Sequence, residues 1–450
     1  MSEEVTLDDF GEQGENDDVS DEHPRFGSLP DDWEINEISN IAEIVGGSTP
    51  STSNEDYWGG GIPWATPTDI TGLSGNTISE TEDTITEEGL DSASTHLLPP
   101  KSVLMTSRAT IGKCAINTVE MATNQGFKSL VPADQIEPWY LYYRMLDTAA
   151  FLNSLGSGST FDEISKTEVQ SVDIPIPPLS EQRKIATVLY TVDRAIEKTE
   201  EVIEQTERVR AGTAQDLFSS GISKGKTKET WLGEIPEDWE VVQFSEIVES
   251  NRNGLYKAKD AYGEGCPIAK MGNALEKRTL DMSSADRLEL TEEEKEKYGL
   301  EEGDLIFARR AQEVSAAGDC CFVPNLDELT VFESSLIRVR LAEEANPHFY
   351  TQYFDSPVGS RSIERIVTET SISGIATSDL LDLKVAVPSP DEQSEIASIM
   401  WQFDKQEKAL KKERKRYERL KRGLMQDLLS GTVRTTDTTI EMPEEIAQHG

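Results

Sequence analysis

The chain has 450 residues, with 84 Asp and Glu against 43 Lys and Arg, and a net charge of −41. Its length allows two or three domains with cores of their own. Aliphatic and aromatic residues recur too regularly for a chain that is disordered throughout, so the acid surplus reads as the surface of a protein adapted to molar salt. No apolar run approaches the roughly eighteen residues of a membrane span and no signal-peptide pattern opens the chain, so a soluble cytoplasmic protein is expected. Cys114, Cys266, Cys320 and Cys321 lack Cys-x-x-Cys spacing, and His23, His96, His348 and His449 are scattered. Neither a metal site nor a disulfide framework follows.

In chain order, residues 1–26 are an acidic tail. The first 23 positions carry ten acids and no Lys or Arg, so disorder is expected. A first globular domain covers 27–178. It opens on Ser28-Leu29-Pro30-Asp31-Asp32-Trp33-Glu34, a proline turn feeding a Trp-led strand and then a small helix over 38–45. Short β-branched strands over 102–106 and 115–119, with a helix over 139–152, predict an α+β domain on a small, heavily looped sheet. The domain closes on the proline-broken strand Ile174-Pro175-Ile176-Pro177-Pro178-Leu179.

A long helix is predicted over 179–222. Ser180 is placed to cap it, Glu181 puts negative charge at the positive end of its dipole, and Gly221 supplies the stop. A short linker, 223–233, leads to a second domain over 234–389. A second helix spans 390–431, with Asp391, Glu392 and Gly431 in the same three roles. The stretch 432–450 reads as another disordered tail.

The second half repeats the first. Glu392 follows Glu181 by 211 residues, and Gln426 follows Gln215 by the same interval. Glu234-Ile235-Pro236-Glu237-Asp238-Trp239-Glu240 restates the entry motif. In the first helix Ile185, Val192, Thr199, Thr206 and Thr213 fall at heptad position a, with Val188, Ala195, Val202 and Val209 at d. In the second, Ile396, Phe403, Leu410, Tyr417 and Leu424 fall at a, with Ile399 and Leu420 at d. The pattern predicts an antiparallel coiled-coil pair that sets Thr206 and Thr213 against Phe403 and Ile396. Ten Lys and Arg against four acids between Asp404 and Arg422 give a local net of +6. Pairing with Glu197, Glu200, Glu201, Glu204 and Glu207, together with docking of an acidic partner, is the expected use, and contact with nucleic-acid phosphates is the alternative.

This tandem resembles the specificity subunit of type I restriction–modification systems, over about residues 27–434. The resemblance rests on three repeated signatures. They are the Leu/Ile-Pro-x-x-Trp entry, the helix starts Pro177-Pro178-Leu179-Ser180-Glu181-Gln182 and Pro388-Ser389-Pro390-Asp391-Glu392-Gln393, and the helix ends Gln215-Asp216-Leu217-Phe218 and Gln426-Asp427-Leu428-Leu429. It implies two similar α+β target recognition domains separated by two long antiparallel coiled-coil helices, a pseudo-twofold repeat. Each domain would read one half of a split double-stranded DNA target. The helices would fix the interval and dock two methyltransferase subunits, and restriction (translocase and nuclease) subunits would join that core. No catalytic residue and no metal would lie on this chain. S-adenosylmethionine and ATP with Mg²⁺ would be bound by the partner subunits. With the acid surplus, the source would be a halophilic archaeon. A helical spacer of about 35 residues would span roughly 50 Å, enough to hold two readers over separate major grooves.

Base reading calls for Arg or Lys against guanine, Asn or Gln against adenine, and small hydroxyls elsewhere. In the first domain the candidates are Arg108, Thr110 and Lys113, then Asn124, Gln125 and Lys128, then Ser159 and Thr160. In the second they are Arg252, Asn253, Tyr256 and Lys257, then Lys270 and Asn273, Arg309 and Arg310, and Ser371 and Ser373. Trp33, Trp58, Trp64 and Trp239 read as core or loop-packing residues.

Catalytic motifs are missing. Ile176-Pro177-Pro178-Leu179 lacks the polar first and aromatic last residues of an amino-methyltransferase loop, and Gly221–Thr227 has three residues between its glycines where a P-loop has four. Two alternatives compete. A coiled-coil adaptor with two protein-binding heads predicts no sequence-selective retention on DNA, and a self-sufficient modification enzyme predicts methyl transfer by the isolated chain.

Overall fold

A computed structural model describes residues 23–93, 95–156, 163–275, 277–368, 373–436 and 438–447. The chain divides into two compact units, one formed by residues 1–200 with 413–450 and the other by 201–412. Each unit contains one globular domain and one half of each long helix.

The first unit holds a five-stranded sheet in the order Ala42–Gly46, Lys128–Pro132, Val103–Met105, Cys114–Asn117 and Thr77–Ile78. A three-stranded sheet has Trp58–Ala65 between Thr84–Ile85 and Ala122–Thr123. In the second unit, Val248–Asn253, Leu336–Leu341, Leu305–Ala308 and Cys320–Phe322 form the larger sheet. Tyr262–Ala269 lies between Asp286–Leu288 and Val331–Phe332 in the smaller one. The proline-broken strands close both domains in the same way. Asp173–Ile176 pairs antiparallel with the Trp-led Glu34–Glu37, and Lys384–Val387 with Glu240–Gln243. These short, β-branched, looped sheets are the α+β architecture expected.

Three local expectations change. The small helix expected over 38–45 is one turn, Ile38–Ile41, because Ala42–Gly46 gains more by pairing with Lys128–Pro132. The linker expected over 223–233 contains half of a hairpin, Thr227–Thr230 against Gly233–Pro236. The stretch 432–450 is expected as a disordered tail, but its residues 432–436 and 438–447 include several that are tied down. Arg434 and the Thr435 backbone N–H bond Glu181, the Lys184 ammonium donates to the Thr435 carbonyl at 3.1 Å, and Ile446 is fully buried in the first unit's core.

The long helices run Leu179–Ser220 and Pro390–Leu429. Ser180 and Asp391 lie inside the first turn. The Glu392 N–H is accepted by Ser389, one residue ahead of a proline that needs no N–H of its own at the first helical position. Gly221 and Gly431 end the helices at φ +65° and +74°, the left-handed conformation that favours glycine at this position.

The helices run antiparallel within each unit. Lys421 bonds Asp193 at 2.6 Å and Arg414 pairs with Glu200 in the first; Arg210 bonds Asp404 at 3.1 Å in the second. That register places Thr206 at the level of Glu407, about one turn from the expected Phe403. The buried stripe also differs from the heptad reading. The a positions are buried at Ile185, Val192, Thr199, Thr206 and Ile396 and half-buried at the rest, but the second buried row sits four residues after a, at Leu189, Ile203, Arg210 and Leu217 in one helix and Met400, Glu407 and Leu428 in the other. Val202 and Val209, expected at d, are 39% and 46% exposed, and Leu420 is exposed as well. Val202 and Val209 each sit one residue, about 100° round the helix, before the buried Ile203 and Arg210. The true seam is harder to see because Arg210, Glu407, Arg414 and Lys421 occupy it.

Candidate nucleic-acid interface

Each globular domain is anchored to its helix start by one repeated constellation. The Trp33 indole donates to Glu181 at 3.1 Å, and the Trp239 indole to Glu392 at 2.9 Å. The neighbouring glutamines spread their amides the same way. Gln182 donates to the Pro177 carbonyl at 2.9 Å and accepts from the Glu137 N–H at 2.9 Å. Gln393 donates to the Pro388 carbonyl at 3.0 Å and accepts from the Asn346 N–H at 2.8 Å. Glu137 and Asn346 each precede the proline that opens a domain helix, Pro138–Gly156 or Pro347–Asp355. The Glu-Gln signature is therefore a joint between strand, domain helix and long helix. Burial would push Glu181 up, but Arg434, the Thr435 N–H and the Trp33 indole together hold it below the usual carboxylate range.

The first domain's candidates lie on adjoining loops. The strand Val103–Met105 runs into a turn where Ala109 and Gly112 take φ +57° and +86°. Thr106 braces that turn by donating to the Thr110 carbonyl at 2.5 Å and accepting from the Lys113 N–H at 3.1 Å. Thr110 and Lys113 are left exposed. Arg108 and Lys128 converge on Glu163 at 2.9 and 3.3 Å. Burial raises Glu163, but both cations hold its pKa below the ordinary value. Lys128 is mostly buried by this pairing. Asn124 accepts from the Gly126 N–H at 2.8 Å and so shapes its own turn, while Gln125 is exposed and its amide oxygen accepts from the Thr49 hydroxyl. Ser159 and Thr160 lie outside the described residues.

The second domain separates its candidates into free and committed groups. Tyr256 is 83% exposed and Arg310 is exposed. Arg252 lies 5.8 Å from the Tyr298 ring, Asn253 accepts from the Thr377 hydroxyl at 2.8 Å, and Lys257 pairs with Glu294 at 2.7 Å. Lys270 pairs with Asp286 at 2.6 Å above the Tyr262 ring. Arg309 donates to the Ser334 carbonyl at 3.3 Å. Two candidates face inward. Asn273 is buried, accepting from the Lys270 N–H at 2.9 Å and donating to the Asp281 carbonyl at 2.9 Å. Ser373 is buried in a two-residue strand against Ala311. Both are small polar residues beside glycines, a composition shared by exposed loops and by tight structural turns. Ser371 lies outside the described residues.

The sequence reading passed over one loop, 48–54. The indoles of Trp64 and Trp58 donate to the Ser48 and Ser51 carbonyls at 3.0 and 3.2 Å, and the two rings pack edge to face at 5.0 Å. Gly47 passes so close to the Thr123 and Asn124 carbonyls that no Cβ would fit. Gly254 meets the Glu333 and Phe332 carbonyls in the same way, so 48–54 corresponds to the loop carrying Tyr256 and Lys257. That correspondence was the available signal.

Residues 30–208 and 236–421 each match the type I restriction modification DNA specificity domain. The chain belongs to this family. It is 35% identical over 250 residues to the type I restriction enzyme MjaIX specificity subunit of Methanocaldococcus jannaschii, an alignment covering 54% of this chain and 58% of that one. With the MjaVIII specificity subunit of the same organism it shares 23% identity over 416 residues, covering 90% and 94%. The EcoKI specificity subunit of Escherichia coli is 28% identical over 249 residues, 54% of this chain and 53% of its own. The chain thus spans just over half the length of MjaIX and EcoKI, and nearly all of MjaVIII. Its fold is similar to the crystal structure of a type I S subunit from M. genitalium, with a TM-score of 0.55 at 14% identity, covering 89% and 96%. No helix among the described residues is long and apolar enough to cross a membrane.

Proposed function

We propose that this chain is the non-catalytic DNA-recognition subunit of a type I restriction–modification complex in the cytoplasm. Each globular domain reads one half of a bipartite double-stranded target, and the paired helices set the interval between the halves. The observation that carries this reading is the double match of the family's DNA specificity domain, supported by two domains that share one sheet plan and one helix joint. The domains differ in their exposed loops, as two unlike half-sites require.

The helices also dock two methyltransferase subunits, around which restriction (translocase and nuclease) subunits assemble. S-adenosylmethionine and ATP with Mg²⁺ belong to those partners. The basic block supports docking more than internal pairing. Arg414 meets Glu200 and Lys411 meets Glu207, but Lys405, Lys408, Lys415, Arg416 and Arg419 are exposed and make no ion pair among the described residues. The −41 charge supports adaptation to a halophilic cytoplasm.

The test is to combine the chain with its cognate methyltransferase and map methylated adenines on genomic DNA. Exchanging residues 27–178 for another family member's domain should change one half of the mapped site; a change in both halves would refute modular reading. Deleting one heptad from each helix, 199–205 and 409–415, should shorten the unread interval by about three base pairs, because seven residues rise about 10.5 Å. An unchanged interval would end the spacer role. Absence of any sequence-selective DNA binding would favour the protein-binding adaptor instead.

A further inference from the structure

Loop 48–54 is neutral, rich in hydroxyls and rigid. Its carbonyls are held by two indoles, Asn54 accepts from the Asp56 N–H at 3.2 Å, and the Ser51 and Ser53 hydroxyls bond each other at 2.9 Å. The loop therefore loses little conformational entropy on meeting a ligand. From this loop the Thr49 hydroxyl donates to the amide oxygen of exposed Gln125. This bond holds the amide oxygen against Thr49. The nitrogen is left with two free N–H groups among the described residues, and the oxygen keeps a second lone pair.

An amide so fixed matches one base edge. Adenine presents an acceptor at N7 beside a donor at N6 in the major groove, and a glutamine meets both at once. We propose that Gln125, oriented by Thr49 on the indole-pinned loop 48–54, reads an adenine in the half-site assigned to the first domain. Thr49 is a positioning residue and Gln125 the contact. Arg108 and Lys128 share Glu163, so the neutral hydroxyl–amide pair supplies discrimination without relying on a free cation. Discrimination by hydrogen bonds is also the kind that survives salt screening. The inference rests on the DNA-recognition reading above and names the residues that perform it in one domain.

The experiment selects binding sites from duplexes randomised in both halves, using the full-length chain with its cognate methyltransferase. Gln125→Ala should relax the preference at one adenine of one half-site and weaken binding to the wild-type sequence about tenfold. Thr49→Val should relax the same position, Thr49→Ser should restore it, and the other half-site should be unchanged throughout. All positions concerned lie at the surface, and melting temperatures within a few degrees of wild type will confirm folding. The proposal is overturned if Gln125→Ala keeps the wild-type preference, if it weakens all sequences equally as a phosphate contact would, or if the relaxed position lies in the other half-site. If the wild-type chain itself selects no sequence, DNA recognition fails as a whole, a different outcome from selection that ignores Gln125.

Discussion

Asp193 accepts a 2.6 Å ion pair from Lys421, and shifting both positions by 211 residues turns this pair into Asp404 and Arg210, bonded at 3.1 Å. The repeat thus extends to a charge pair placed in the seam between helices, where sequence patterning expects apolar residues. In each unit the pair also reaches the globular domain. Asp193 accepts from Tyr143 and Asn76, each at 2.7 Å, while Arg210 bonds Asp355 at 2.7 Å and pairs with Gln352.

Arg210 is almost fully buried, and its removal leaves Asp355 and Asp404 to share Arg278 as their only cation among the described residues. Arg210→Ala should therefore destabilise the protein by about 3–5 kcal/mol in chemical denaturation. Arg208→Ala, on the exposed side of the same helix, should cost less than about 1 kcal/mol. Equal losses would show that the buried network contributes no more than a surface pair.

The two helix-start glutamates should differ in weight. Glu181 holds the Trp33 indole, Arg434 and the Thr435 N–H, whereas Glu392 holds the Trp239 indole and the Ile222 N–H at 3.1 Å. Glu181→Ala leaves a guanidinium without its main partner and should cost about 3 kcal/mol; Glu392→Ala should cost about 1–2 kcal/mol. Thermal unfolding of both variants gives the order directly, and a larger loss for Glu392 would contradict it.

The true helix seam can be separated from the apparent one. Ile203→Ala removes a buried side chain and should cost about 2–4 kcal/mol. Val202→Lys and Val209→Lys change exposed positions and should stay within about 0.5 kcal/mol. A reversed order in urea titrations would restore the a/d heptad.

Glu137 gives a pH dependence with a definite sign. Burial raises its carboxyl to about 7, although the backbone N–H groups of Tyr140 and Trp139, with Arg183 and Lys101, pull it down. Its protonated form is favoured in the folded state, so this contribution is fully present below the unfolded pKa near 4.5 and is lost as pH rises through 7. The size is about 3 kcal/mol. Stability measured from pH 5 to pH 8 should fall by less in Glu137→Gln than in wild type.

High salt should stabilise the chain. Screening weakens the self-repulsion of 84 acids more than it weakens buried pairs such as Asp193–Lys421. The unfolding midpoint should rise between 0.1 and about 2 M KCl, and a flat or falling midpoint would remove the case for salt adaptation.

The sequence by itself carried the tandem plan. Prolines before each long helix, Glu-Gln at its start and a glycine at its end are local signals, written in backbone chemistry that does not depend on the rest of the fold. Strands such as Val103–Met105 and helices such as Pro138–Gly156 were legible for the same reason. Only the tertiary structure decided which helix face is buried, because Arg210, Glu407, Arg414 and Lys421 can enter a seam once partners on the other helix or the domain satisfy them. It likewise turned Asn273 and Ser373 inward, anchored Arg434 and Thr435 on Glu181, and set Thr49 against Gln125 across 76 residues of chain. Such pairings depend on which loops the sheets bring together, and no local propensity records that.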